Sequence, residues 1–197
     1  MTETISRQVQ SVALIIKNNN LKIQDIVDAF IEGNGIIGSE RYDFAQKVSD
    51  HVLGVGLDRF RKAQTVERAE AIYDVLMGKA KGKKYLPFIF PVVRGIETSA
   101  IGSFYAISDI EEAVSFLEDP MLCETIVTLC DSLMSIEGKT AQQIFGAEDA
   151  ERIKSSVTLF SKAASRYSNR NGVFDSVLNK YFDGKYCEAT CYQLLNL

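Results

Sequence analysis

The sequence predicts an all-α protein: a compact domain of several helices, with one extended proline-containing segment buried in it and an added helical lobe at the N-terminus. Two observations favour this class. Apolar residues recur every three or four positions along most of the 197 residues, the spacing of helices that bury one face. Helix-start and helix-stop residues separate these stretches, as at Asp119-Pro120, where an N-cap precedes a proline at the first helical position.

The first 56 residues are predicted to form a helical extension, separate from a helical domain over residues 57–197. Three helices are expected in the extension: residues 4–17, residues 21–32, and a helix after Ser39 whose apolar side carries Phe44, Val48 and Val52. Asparagines and glycines separate these helices. The extension is a candidate surface for a homodimer or for another protein partner.

The domain is predicted to begin with a long helix that has Asp58 as its N-cap and runs to Met77. Apolar residues at helical spacing give this helix an expected inward face. They are Val66, Ala69, Tyr73 and Leu76.

Residues 78–99 are the stretch around which the other helices are expected to pack. They begin as a glycine-lysine loop and continue as an apolar run containing Pro87 and Pro91. Proline lacks an amide hydrogen and has a fixed φ, so these residues exclude a long helix and a central strand. The run from Pro87 to Pro91 is therefore predicted to be extended, with Phe88 and Phe90 buried.

Capping residues and apolar stripes predict the helices of the C-terminal half. Ser108 with Glu111, and Thr140 with Gln143, have the spacing of capping boxes. A helix after Gly146 is predicted to face the core through Ile153, Val157, Phe160 and Ala164.

The charge distribution limits the kinds of partner. The net charge is −4, yet residues 57–95 alone carry nine basic and four acidic side chains. A single basic segment in an acidic protein argues against a broad nucleic-acid surface and favours a local anion site. The early apolar run is too short to span a bilayer, so no membrane association is expected and a cytoplasmic protein is predicted. Four cysteines and one histidine provide no zinc-ligand pattern, and neither a metal nor a cofactor is predicted.

Motifs in unbroken order carry a family resemblance. They are Asp58-Arg59-Phe60, Ala63-Gln64, Phe88-Ile89-Phe90-Pro91, Gly95, Ser99, Tyr105-Ala106-Ile107, Ala113, Leu117, Pro120, Ile144-Phe145-Gly146, Asp149, residues 154–160, Tyr181-Phe182 and Gly184. Through these motifs, residues from about 57 to 195 resemble the bacterial family catalogued as domain of unknown function 1810. The resemblance implies a compact helical fold and supplies no established activity.

The chain departs from this family at one place. The family usually has a His-Trp-Met-Trp run directly before its Phe-x-Phe-Pro motif, where this chain has Lys84, Tyr85, Leu86 and Pro87. If the family's histidine transfers protons, Lys84 replaces it with a group that titrates at about pH 10 unless buried.

Cationic and hydroxyl side chains near these motifs are the candidate ligand-binding residues. They are Arg59, Gln64, Lys84, Arg94, Lys154, Ser155, Ser156 and Thr158. An arginine's planar fork suits a bidentate anion, and hydroxyls early in a helix can bind an oxyanion. The alternatives are a structural salt bridge for Arg94, and hydroxyls that bond to the preceding helical turn at a helix crossing.

Three functions follow from these residues. The leading prediction is a small anionic ligand, phosphate-bearing or nucleotide-like, bound between the Lys79–Arg94 segment and the Lys154–Thr158 run. The second is a hydrolase or transferase that uses the same pocket, with a lysine as its proton-handling group. The third is a protein-protein interaction module that acts through residues 1–56.

Overall fold

The computed structural model describes residues 8, 11, 12, 23–36, 40, 41, 44, 45, 47, 48, 56–167 and 172–196. Ten helices have defined bounds within these residues, and they confirm the all-α class. In chain order they are α1 Ile23–Gly33, α2 Asp58–Leu76, α3 Leu86–Ile89, α4 Ala100–Phe104, α5 Ile110–Glu118, α6 Pro120–Ser135, α7 Ala141–Phe145, α8 Ala147–Tyr167, α9 Gly172–Phe182 and α10 Glu188–Asn196. Among the described residues, no helix combines the length and apolarity needed to cross a bilayer.

Helix α8 is the centre of the packing. It contacts α5, α7, α9 and α10, while α6 packs against α2, α5 and α9. The residues predicted to face inward from α8, at positions 153, 157, 160 and 164, are all buried. Aromatic rings connect these layers: Phe116 lies 5.1 Å from Phe60 and 4.9 Å from Phe160, measured between ring centroids.

Of the predicted caps, two are confirmed, one is displaced and one is wrong. Asp58 is the first residue of α2 rather than its N-cap, which is Leu57, and no side-chain hydrogen bond caps this end of the helix. The Asp119 carboxylate accepts hydrogen bonds from the N–H groups that begin α6, and Thr140 with Gln143 forms the predicted capping box of α7. The cap of α5 is Asp109 rather than Ser108, and Glu112 rather than Glu111 accepts the Ser108 N–H at 2.7 Å. With this one-residue shift, Glu112 lies against α2 and forms an ion pair with Arg59.

Helix α2 buries a different face from the predicted one. Val66, Tyr73 and Leu76 are 77%, 62% and 49% exposed. The buried face carries Phe60, Gln64, Ala71 and Val75 instead. The helix has apolar residues on two sides, and its contacts with α3 and α6 determine which side is covered.

The central segment is buried as predicted, but its first half is helical. Residues Leu86–Ile89 form one helical turn with Pro87 near its start, so the predicted extension of this part is wrong. A proline's missing N–H costs nothing in the first turn, where no carbonyl of the helix would accept it. Phe88 and Phe90 are 1% and 0% exposed. Beyond Phe90 the chain is extended, and Val93 makes an isolated parallel bridge with Ile107.

The N-terminal predictions are covered in part. The second predicted helix is α1, and the described positions of the third are helical, with Phe44 and Val48 buried. Of the first predicted helix, only Gln8, Ser11 and Val12 lie among the described residues. Val52 of the third predicted helix lies outside them. Helix α1 packs on α4, and its Val27 and Ile31 belong to the same hydrophobic cluster as the remaining core. The division of the chain at residue 56 stays a prediction.

Candidate functional site

A cavity of about 300 Å³ lies beside the glycine-lysine loop of residues 78–84, here called the basic loop, and beside the first turns of α8. Segments far apart in the sequence form its wall. The lining residues are Asp28, Gly82, Lys83, Lys84, Pro87, Ser99, Ile101, Glu148, Asp149 and Arg152. Three cationic and three anionic side chains are among them, so the lining is charge-balanced rather than basic.

Local sequence explains how the two main walls form. Gly82 has a φ of +66°, a left-handed conformation that glycine adopts without strain, and it turns the chain into Lys83 and Lys84. Gly146, with a φ of +88°, separates α7 from α8 and lets the longer helix begin at Ala147. Glu148 and Asp149 in the first turn of α8 thereby face the basic loop across the cavity.

Arg152 is a largely enclosed charge in this wall. Its side chain is 12% exposed and forms an ion pair with Glu97 through Nη1 and a longer one, 3.5 Å, with Asp149 through Nε. Glu97, 10% exposed, also accepts a 3.4 Å hydrogen bond from the Ser99 hydroxyl. Buried charges are stable in proteins when they are paired in this way.

The two lysines of the basic loop that line the cavity have different surroundings. Lys83 Nζ lies 2.6 Å from Asp74 and 3.4 Å from Glu70. The hydrogen bond that Lys83 donates to the Asp74 carboxylate raises the pKa of Lys83, so its charge is paired with α2. Burial raises the pKa of Tyr85. The Asp74 carboxylate, which accepts a hydrogen bond from the Tyr85 hydroxyl, raises it further. Lys84 lines the cavity and is exposed.

Arg59 and Gln64, predicted as ligand-binding residues, are buried in contacts within the protein. Arg59 is 4% exposed and bonds to Glu112 at 2.7 Å and to two backbone carbonyl groups. Gln64 is fully buried and donates a 2.8 Å hydrogen bond to the Phe88 carbonyl, which joins α2 to α3. Both residues therefore support the fold around the site.

The hydroxyl run on α8 forms a helix crossing. Ser155 and Thr190 share a buried 2.8 Å hydrogen bond. The Thr158 hydroxyl donates to the Lys154 carbonyl of the preceding turn and accepts the N–H of Cys187. Because α8 begins at Ala147, the run starts about 10 Å from the positive helix end, too far to use it.

The other predicted residues have separate surroundings. Arg94 is exposed and donates a 3.1 Å hydrogen bond to Ser108. Ser156 is fully buried, and its hydroxyl has no hydrogen-bond partner among the described residues. Lys154 is half-buried on α8. Of the eight predicted residues, Lys84 is the one that lines the cavity.

Sequence reasoning missed the acidic and arginine components of the cavity. Arg152 and Asp149 are three positions apart on α8, an ion-pair spacing that the sequence contains. Their juxtaposition with Lys84 and Ser99 depends on long-range packing. Among the described residues, no group of three or more His, Cys, Asp and Glu side chains is arranged to hold a metal ion.

The fold and the cavity define a helical domain with a small, charge-balanced pocket. Residues 54–194 match the family described as "Protein of unknown function (DUF1810)", and the chain belongs to that family. This confirms the resemblance seen in the motifs. Among solved structures, the chain is similar to the conserved hypothetical protein Rv1873 from Mycobacterium tuberculosis, with 29% identity and a TM-score of 0.66 over 71% of this chain and 96% of that chain. No curated protein matches the chain.

Proposed function

We propose that the cavity binds a small ligand that carries both a phosphate and hydroxyl groups, of the nucleotide or sugar-phosphate class. The observation that carries this proposal is the convergence of family-motif positions on the cavity. Ser99 and Asp149 are motif residues, while Lys84 and Pro87 stand where the family's His-Trp-Met-Trp run lies, and all four line the same space.

The dimensions of the cavity suit a small metabolite. About 300 Å³ is at the lower end of the range of ligand sites in proteins, roughly 300–1,000 Å³. A sugar phosphate, or the phosphate and ribose of a nucleotide, fits this volume better than a larger cofactor would.

The charges of the lining favour a ligand of mixed character. Asp28, Glu148 and Asp149 disfavour a simple anion by like-charge repulsion. Lys84 supplies a cationic donor for a phosphate, and the carboxylates can accept hydrogen bonds from ligand hydroxyls. This refines the predicted anionic ligand and moves its site on α8 from residues 154–158 to residues 148–152.

The proposal is tested by thermal unfolding with ribose 5-phosphate, AMP, ribose and inorganic phosphate. Binding stabilises the folded state by about 2.7 kcal/mol at a hundredfold excess over Kd. We expect ribose 5-phosphate or AMP to raise the Tm of the protein more than ribose or phosphate at equal concentration, because only the first two carry both recognised groups.

The variant Lys84→Gln tests the role of the cationic donor. We expect it to weaken ribose 5-phosphate binding about tenfold, the loss of one charge-assisted hydrogen bond. Lys79→Gln is the matched control, since Lys79 is an exposed lysine of the same loop outside the lining. An equal loss in both variants, or no stabilisation of the unmodified protein by either phosphorylated probe, would overturn the proposal. Chromatography of the same incubations for released products tests the hydrolase alternative.

A further inference from the structure

Gly102 lies inside helix α4, where a glycine is unfavourable compared with alanine. Its backbone has no left-handed φ that would require glycine. The space around it explains the residue: a Cβ added at Gly102 would collide with the carboxylate of Glu97 and would lie 2.6 Å from its Cγ. The missing side chain therefore makes room for Glu97.

Glu97 connects this space to the cavity. Its carboxylate lies against the first turn of α4 and pairs with Arg152, which lines the cavity, whereas Glu97 itself does not. Gly102, Glu97 and Arg152 thus form a chain of contacts from the interior of α4 to the cavity wall.

Arg152 retains the capacity to bind a ligand while it is held in this way. Nε and Nη1 of its guanidinium are buried beside Asp149 and Glu97, so a ligand would be contacted through Nη2 and its two N–H donors. These donors are held in the guanidinium plane, whereas a lysine presents a rotating point charge. A side chain fixed before binding loses less conformational entropy when the ligand arrives.

We infer that Arg152 is a specificity-determining residue of the cavity and that Glu97, admitted by Gly102, is the residue that positions it. This inference rests on the proposed function, because it assigns a role toward the same ligand. Gly102 and Glu97 contribute to binding without touching the ligand.

A double-mutant cycle measured by calorimetry with ribose 5-phosphate tests the inference. We expect Gly102→Ala and Glu97→Ala each to weaken binding about tenfold, since either change releases Arg152 from its fixed position. In the Glu97→Ala background the added methyl group has no carboxylate to displace. The double variant should therefore bind as well as Glu97→Ala alone.

The Tm values of the same four proteins separate positioning from general packing. We expect Gly102→Ala to lower the Tm of the unmodified chain and to raise the Tm of Glu97→Ala, where only the higher helix propensity of alanine remains. Arg152→Lys should also weaken ribose 5-phosphate binding about tenfold, because it keeps the positive charge and loses the fixed, planar N–H donors of the guanidinium.

The outcomes distinguish this inference from the proposed function. If ribose 5-phosphate binds the unmodified protein and binds Gly102→Ala equally well, or if the losses in the cycle add, the positioning role is refuted. If neither ribose 5-phosphate nor AMP binds the unmodified protein, the proposed function fails and the assignment of Arg152 to a ligand fails with it. The Tm pattern then decides whether Gly102 accommodates Glu97.

Discussion

Arg59 is a buried side chain with several partners within the fold. It donates to the carbonyls of Gly56 and Ala106 at 2.7 and 2.9 Å, pairs with Glu112, and lies 4.4 Å from the Phe60 ring centroid. These contacts connect α2 to α5 and to the loop that precedes α5. An arginine held by so many partners is costly to leave unpaired, which makes its carboxylate partner important for stability.

The pair between Arg59 and Glu112 gives the first prediction at this scale. Burial alone would raise the pKa of Glu112, but the hydrogen bond and charge of Arg59, with the Ser108 N–H, outweigh burial and lower it. Because folding lowers the pKa of Glu112, the ionised carboxylate stabilises the folded state. This stabilisation is complete above the ordinary pKa of 4.5 and is lost as the pH falls through the folded-state pKa.

We therefore expect Glu112→Gln to reduce the free energy of unfolding by about 2 kcal/mol at pH 7, and this deficit to shrink as the pH is lowered below 4.5. Urea unfolding across this pH range measures both effects. Glu111→Gln is the control, because Glu111 is 76% exposed and pairs with the exposed Arg166. A deficit that stayed constant with pH would contradict the titration argument.

At the scale of elements, α3 and the extended residues after it support one wall of the cavity. Gln64 on α2 holds the Phe88 carbonyl, and Phe90 packs edge-on against Phe145 of α7, with 6.1 Å between ring centroids. Pro87 of α3, and Lys84 two residues before α3 begins, line the cavity. The packing of Phe90 therefore supports the position of the basic loop.

Truncation of this contact is the prediction at the scale of elements. Phe90→Ala should lower the free energy of unfolding by about 3–5 kcal/mol, because a fully buried ring leaves a cavity in the core. Denaturant unfolding measures the loss. Tyr73→Ala, at a 62% exposed position on α2, should change it by no more than about 0.5 kcal/mol. Equal effects of the two substitutions would show that the Phe90 site is not part of a close-packed core.

At the scale of the whole molecule, helix α1 packs on the rest of the described residues beside the cavity. Asp28 of α1 is one of the lining residues, and α1 packs on α4, which carries Gly102. Yet the family match begins at residue 54, and 71% of this chain accounts for 96% of the solved structure similar to it. These facts favour a domain that can fold without the extension but has a less complete cavity.

Deletion of residues 1–53 tests this division. We expect the shortened chain to unfold cooperatively, at a lower Tm than the full chain, because it keeps the core of α2 to α10 and loses the apolar contacts of α1. Circular dichroism on heating measures the transition. The absence of a cooperative transition would place residues 1–53 in the core of a single domain. Size-exclusion chromatography of both chains tests the predicted homodimer contact through residues 1–56.

The sequence alone determined the features that depend on neighbouring residues. The caps at Asp119 and Thr140 form between groups two to three positions apart, and the buried stripe of α8 repeats at helical spacing. The family could also be recognised from the sequence alone, because its motifs occur in order along the chain. Such interactions are the same in whatever tertiary structure contains them.

Tertiary structure alone decided which side of α2 is covered and which charges meet in the cavity. Arg59 and Arg152 are both arginines on long helices, yet Arg59 is enclosed by α5 while Arg152 lines a cavity. The difference arises from contacts between segments dozens of residues apart, which no local pattern specifies. The same is true of Gly102, whose purpose appears only when the side chain of Glu97 is placed over it.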